Sequence, residues 1–227
     1  MASPNGPLHV GIIMDGNRRW ARAHALEAHK GHERGAQLIE DLFQWCLDTG
    51  VTEVTLYTLS IQNLARERRE VEFLLDLLRR ELARLLSDER ITRERVRVRF
   101  AGRRSLLPAD IQERMREVEQ ATAAYEHLAV NFAICYGGRE EIVDAVAALV
   151  ADGAPVSEAG IAERLWVRSE PDLIIRTGAV QRTSNFLLWQ SAYSEWVFLE
   201  KAWPEFTKAD LEHAIAEFRG RDRRYGK

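Results

Sequence analysis

The stretch Leu8-His9-Val10-Gly11-Ile12-Ile13-Met14-Asp15-Gly16-Asn17-Arg18-Arg19 decides the fold. Its first seven residues are nearly all apolar, so it reads as a strand buried on both faces, which a parallel sheet covered by helices provides. Asp15-Gly16 ends the strand in a turn, and the polar residues that follow read as a helix start. Working outward, Leu38, Ile39, Leu42, Phe43 and Leu47 recur at helical spacing, which predicts a helix over 33–49 stopped by Gly50. Residues 51–59, rich in Val, Thr and Tyr, predict a second strand. A long helix over 67–86 carries the stripe Val71, Leu74, Leu75, Leu78, Leu82 and Leu85. Strands are then predicted over 95–101, 128–136 and 173–175, and helices over 108–125, 140–150 and 208–219. Strand and helix alternate throughout. The fold class is therefore α/β, one domain with a mainly parallel sheet flanked by helices. Residues 8–227 form that domain, and 1–7, with Pro4, Gly6 and Pro7, form a flexible lead.

Composition narrows the function classes. Of 227 residues 46% are hydrophobic and 30% charged, a globular balance that excludes a disordered chain. The net charge of −3 supplies no global positive field for nucleic acid. No apolar run is long enough for a membrane-spanning helix, and the N-terminus does not read as a signal peptide. Cys46 and Cys135, far apart in the chain, suit reduced thiols, which makes the cytoplasm the expected compartment.

In parallel sheets ligands bind at the carboxyl ends of strands. Four polar clusters fall there: Asp15 to Arg19, Ser60 to Arg66, Tyr136-Gly137-Gly138-Arg139, and Arg176-Thr177-Gly178 with Arg182-Thr183-Ser184-Asn185. The first offers a carboxylate, a glycine and a helix start, which suit an anion on backbone N–H groups with a metal on the carboxylate. The fourth offers Arg176, Arg182 and a hydroxyl, which suit a second multiply charged anion. Taken singly each has a plainer reading. Asp-Gly is a common turn, loop arginines are usually solvated, the Ser60 loop can be a mere connection, and the leucine stripe can be plain core. His32, after Gly31, reads alone as a structural residue at a helix start. Glu195, amid Tyr193, Trp196 and Phe198, is a costly place for a lone carboxylate unless it is paired or holds a metal. There is no Walker-type loop, no Gly-x-Gly-x-x-Gly and no Asp-Asp-x-x-Asp.

Taken together, the clusters resemble a known family. His9 to Ala21, Gly31-His32-Glu33-Arg34-Gly35-Ala36, Ser60-Ile61-Gln62-Asn63 with Arg66, Tyr136 to Arg139, Pro171 to Gly178, Arg182 to Gln190, Tyr193-Ser194-Glu195 and Trp203-Pro204 stand in the order and spacing of the cis-prenyltransferases. The resemblance implies condensation of isopentenyl diphosphate with an allylic diphosphate, with Mg2+, to give cis double bonds. It implies Asp15 as the central acid and metal ligand, Glu195 as a second metal ligand, and Gly16, Asn17, Arg19 and Trp20 around the allylic diphosphate. Arg176, Arg182 and Ser184 would grip isopentenyl diphosphate, while His32, Ser60, Asn63 and Arg66 line the reacting centre, with Asn63 assigned to the proton lost. It further implies a six-stranded sheet, a homodimer completed by Arg224-Tyr225-Gly226, an apolar tunnel beside the helix carrying Val71, and at most peripheral membrane contact. Departures from the family pattern are Gln62, Leu64, Gly178-Ala179-Val180, Arg103 and Ala28. They leave three expectations in order: an elongating enzyme, a short-chain or irregular synthase, and a non-catalytic accessory subunit.

Overall fold

The computed structural model describes residues 6–221; most of the predicted lead, and Arg224-Tyr225-Gly226, lie outside them. Six strands, β1 (His9–Ile13), β2 (Glu53–Ser60), β3 (Val96–Ala101), β4 (Leu128–Tyr136), β5 (Leu173–Arg176) and β6 (Glu195–Phe198), form one sheet in the order β3-β4-β2-β1-β5-β6. Every pairing is parallel. The chain crosses between strands through α1 (Asn17–Ala23), α2 (Ala28–Thr49), α3 (Arg68–Ser87), α4 (Glu89–Arg93), α5 (Ala109–Thr122), α6 (Gly138–Ala151) and α7 (Glu158–Arg164), and closes with α8 (Lys208–Gly220).

Alternation along the strands divides the core into two layers. Val10, Ile12, Leu56, Val130 and Phe132 pack with Leu38 and Leu42 of α2, Met115 of α5 and Leu211 of α8. On the other face Ile13, Ala133 and Ile174 meet Phe186, Leu187 and Val167, and α6 and α7 share a smaller cluster of Ala145, Leu149, Ile161 and Leu165. Both faces are covered, as the continuous apolar strands require.

The predicted helix over 33–49 begins earlier, at Ala28, so His32 lies within α2 and not at its start. Gly31 and Gly35 are weak helix formers in isolation. Here they let α2 cross the start of α1: a Cβ on Gly31 would stand 2.0 Å from the Asn17 carbonyl oxygen, and one on Gly35 2.4 Å from Asn17 Oδ1. Three short elements escaped the sequence reading, α4, α7 and β6, because each is too short to show a period, while α1 stands where a helix start was read after Asp15-Gly16. α7 lies inside the predicted link through Gly153 and Pro155, where Ser157 accepts the Gly160 N–H at 3.1 Å as its cap. The neighbours of β1 are β2 on one side and β5 on the other, so the strand order reverses at β1. A crevice opens at such a reversal, beyond the carboxyl ends of β1, β2 and β5.

Candidate active site

That crevice is a polar cleft of about 630 Å³. Asp15 leaves the end of β1, Ser60 the end of β2 and Arg176 the end of β5, so the register of the three strands brings the first, second and fourth sequence clusters together. Gly16, Asn17, Arg19, His32, Asn63, Arg66, Arg182 and Ser184 line it as well. Arginines at 18, 19, 22, 66, 176 and 182 line it, with Asp15 as the one lining carboxylate. A wall of that composition suits more than one multiply charged anion.

Asp15 is the hub. Its Oδ2 accepts from Arg176 Nη2 at 2.9 Å, its Oδ1 from the Gly16 N–H at 2.6 Å, and Arg19 Nη2 stands 3.1 Å away. Burial opposes the charge, but the Arg176 hydrogen bond and the positive fields of Arg19 and Arg176 outweigh it, and the carboxyl is held below its ordinary range. Thr177 Oγ1 and the Trp203 N–H donate to the Asp15 carbonyl at 2.7 and 2.9 Å, which fixes the backbone. Arg176 is almost fully buried and also donates to Ser184 Oγ at 2.7 Å and to the Arg182 carbonyl. Its Nε has no partner among the described residues, so one donor of the fork remains unused. The side-chain amide of Asn17 donates to the Met14 carbonyl at 3.0 Å.

Across the cleft, Ser60 and Asn63 form a capping box on the 3-10 turn Ile61–Ala65: the Asn63 N–H donates to Ser60 Oγ at 3.2 Å and the Ser60 N–H to Asn63 Oδ1 at 3.1 Å. Both side chains are thereby committed to loop shape. Glu70 gathers Arg66 at 2.9 Å, Arg18 at 3.8 Å and His32 Nε2 at 3.9 Å. Burial, with the fields of Arg66 and Arg18, lowers the His32 pKa to about 4, so its ring is neutral near pH 7.

Met14, Asn17, His32, Tyr57, Thr58, Leu59 and Leu74 also border a second, apolar cavity that continues from the cleft. It runs between α2 and α3 against β2, β3 and β4, walled by Ile39, Phe43, Leu77, Leu78, Phe100 and Phe132. Leu74, Leu78, Leu82 and Leu85 of the α3 stripe line this cavity while also packing on the core; of the six stripe residues only Leu82 is fully buried. At the far end stand Glu40, Glu81, Arg84 and Asp88.

Two predicted residues do not join the cleft. Trp20 packs against His24 with ring centroids 4.5 Å apart and planes tilted by 33°, and lines a separate small depression with Glu200 and Glu205. Glu195 opens β6 in register with Leu173, at the amino edge of the sheet, while Asp15 follows the carboxyl end of β1. At Glu195 the partner is Arg221, 2.7 Å away. Sequence reasoning missed Arg22, Tyr57, Thr58 and Glu70. For Arg22 a signal existed, its spacing of four from Arg18 on α1.

No group of three or more His, Cys, Asp or Glu side chains is assembled for an ion among the described residues. A single ionised carboxylate facing arginines fits the hard, water-rich Mg2+, which typically takes one or two carboxylates and completes its shell from substrate phosphates.

The family model described as "Putative undecaprenyl diphosphate synthase" matches residues 13–226. A Methanopyrus kandleri protein named tritrans,polycis-undecaprenyl-diphosphate synthase (geranylgeranyl-diphosphate specific) is 46% identical, over 97% of this chain and 85% of its own. An isoprenyl transferase of Thermotoga maritima is 42% identical over 97% of each chain. Among solved structures, lavandulyl diphosphate synthase from Lavandula x intermedia, in complex with dimethylallyl diphosphate, superposes with a TM-score of 0.89 at 32% identity, covering 99% of this chain and 100% of that one.

Proposed function

The chain belongs to the undecaprenyl diphosphate synthase family of prenyltransferases, and from that premise we propose that the cleft condenses isopentenyl diphosphate with an allylic diphosphate to give a Z-polyprenyl diphosphate. One observation carries the reading: a cleft with six arginines and one acid opens directly into an apolar cavity, so charged heads and a hydrocarbon tail have adjoining places.

Asp15, Arg19 and Asn17 take the allylic diphosphate, and Arg176, Arg182 and Ser184 take isopentenyl diphosphate. The allylic C–O bond breaks with its electron pair on the leaving oxygen, whose growing charge the fixed guanidinium donors stabilise. The double bond of isopentenyl diphosphate attacks the allylic carbon, and a proton leaves the neighbouring carbon to restore a double bond. Asn63 is a poor acceptor for it, since its side-chain oxygen is held by the Ser60 N–H. His32 and the ion-paired Asp15 are weak bases. The departing diphosphate is the strongest base in reach. Mg2+ held on Asp15 and the phosphates would supply further neutralisation of the leaving charge. Glu195, the second metal ligand that the resemblance implies, opens β6 at the amino end of the strands in this chain and pairs with Arg221. The growing chain enters the apolar cavity.

We place the reaction in the cytoplasm, a reading supported by two buried free thiols, and no described helix is long and apolar enough to cross a membrane. Incubation with labelled isopentenyl diphosphate, Mg2+ and dimethylallyl, geranyl, farnesyl or geranylgeranyl diphosphate tests the proposal. A ladder of five-carbon increments supports elongation. A second reading, a short or irregular product, draws on the likeness to lavandulyl diphosphate synthase; a single ten-carbon product would replace the first reading by this one. No incorporation with any primer would sink both and favour an accessory subunit.

A further inference from the structure

The third sequence cluster, Tyr136-Gly137-Gly138-Arg139, follows the end of β4 but lines neither the cleft nor the apolar cavity. Its glycines are not open to a ligand. A Cβ on Gly137 would stand 2.2 Å from Glu140 Oε2 and 2.7 Å from Asn185 Nδ2, and one on Gly138 2.9 Å from Leu188 Cγ. What fills that space is the loop after Arg182. α6 begins at Gly138 with no side-chain cap of its own. Asn185 satisfies the first N–H groups from afar: its carbonyl accepts from the Gly138 N–H at 2.7 Å and its Oδ1 from the Arg139 N–H at 2.9 Å, while its Nδ2 donates to Glu140 Oε2 at 2.9 Å.

The loop held by these bonds is strained. Ser184, Asn185 and Leu187 all have positive φ, 50°, 64° and 43°. Asn tolerates that region, but Ser and Leu adopt it at a cost, and such a run persists only where surrounding contacts impose it. The strain has a use. It turns Ser184 so that Oγ receives Arg176 Nη1 at 2.7 Å and the carbonyl receives the Tyr57 hydroxyl at 3.2 Å. The Arg182 carbonyl receives the same Arg176 nitrogen. Both polar residues of the second anion subsite thus hang from one anchored loop.

We propose that Asn185, seated on the Gly137-Gly138 turn, is a positioning residue that sets affinity for isopentenyl diphosphate by holding Arg182 and Ser184 around Arg176, without itself touching the substrate. The proposal rests on the prenyl-transfer reading above. It gives the Gly-Gly turn a role that is not phosphate binding: the turn is a seat for the loop.

Steady-state kinetics of Asn185→Ala with each substrate varied in turn is the test. The KM for isopentenyl diphosphate should rise by about tenfold, while the KM for the allylic diphosphate stays within about twofold. Asn185→Asp keeps the acceptor for the Arg139 N–H but sets a second carboxylate against Glu140, so it too should raise that KM. Adding Glu140→Gln restores a donor to the pair and should return KM toward the starting value. A merely structural Asn185 would raise both KM values together, in step with a fall in Tm, and the double variant would rescue nothing; that result, or unchanged kinetics in Asn185→Ala, overturns the proposal. Unaltered protein that turns over neither substrate would instead sink the prenyl-transfer reading. Calorimetry with inorganic pyrophosphate then decides the clasp alone: affinity weakened in Asn185→Ala and restored in the double variant upholds it, and equal affinities overturn it.

Discussion

At Asp15, two arginines, one almost fully buried, are balanced by one carboxylate. Asp15→Asn keeps the volume and most hydrogen bonds but removes the charge, so the protein should fold while kcat falls by roughly 10²–10³, the loss typical of one preorganised electrostatic group. Full turnover in a folded variant would refute the role given to Asp15. His32 makes a separate prediction about stability. Its pKa drops from an ordinary 6.5 to about 4 because burial and two arginines oppose the charge. A depressed folded value means that the unfolded chain takes up the proton first. Stability is therefore complete above pH 6.5 and declines as pH falls toward 4, by about 3 kcal/mol at most. His32→Gln should flatten the urea-unfolding free energy across that window, and an unchanged slope would show that the ring is not held neutral. Asp15 was legible as a carboxylate beside glycine at the end of a strand, whereas His32, which reads alone as structural, was singled out only by the family resemblance. Tyr57 and Thr58 were not, since a strand residue reveals which cavity it borders only once its neighbours are in place.

Where elements meet, glycine decides how closely α2 can approach α1. A Cβ at Gly31 would lie 2.0 Å from the Asn17 carbonyl oxygen, a backbone atom that cannot swing away. Gly31→Ala should therefore cost about 1–3 kcal/mol despite alanine's better helix propensity, the range for overpacking. Chemical denaturation reads it directly, and a stabilised variant would show that the helices part without cost. Because that same crossing carries Asn17 and His32 to the cleft, activity should fall as well. Farther along, α2 and α3 end the apolar cavity in charge: Arg84 pairs with Glu40 and stands 3.5 Å from Glu81, and Arg90 holds Glu40 at 2.7 Å. Burial and the nearby Glu40 raise the Glu81 pKa, the sign of a carboxyl set in poor solvent. A hydrocarbon tail that reaches this floor must separate ion pairs to continue. Glu81→Leu with Arg84→Leu should then shift products toward longer chains, read by chromatography after dephosphorylation; an unchanged distribution would place the limit elsewhere. The helical period announced the leucine stripe of α3 but could not say whether it faces core or void. That depends on how far apart α2 and α3 settle.

The class of the whole molecule was legible because buried strands alternate with amphipathic helices, and parallel pairing follows from that alternation. The order β3-β4-β2-β1-β5-β6 was not, since nothing local in β1 says that β2 and β5 flank it, and β6 is only four residues long. The placement of β6 bears on assembly. It is the outer strand beside β5, so one of its edges has no strand partner among the described residues, and isolated edges of this kind are normally blunted or covered. Its four-residue length and Arg221, which pairs with Glu195 at 2.7 Å and donates to the Trp196 carbonyl at 3.4 Å, blunt it only in part: Trp196 and Phe198 stack with centroids 5.7 Å apart, Phe198 is exposed, and Tyr193 nearby is 67% exposed. Aromatic groups with apolar bodies and polar tips are what the cores of protein interfaces favour. We propose on this ground that two copies of the chain cover each other at the β6 edge. Sedimentation at micromolar concentration should give twice the mass of one chain. Trp196→Glu should bring that to a single mass and, if the C-terminal residues serve a neighbouring cleft, reduce kcat with it. A single-chain mass for the unaltered protein under conditions of full turnover would remove the dimer and leave the edge aromatics needing another cover.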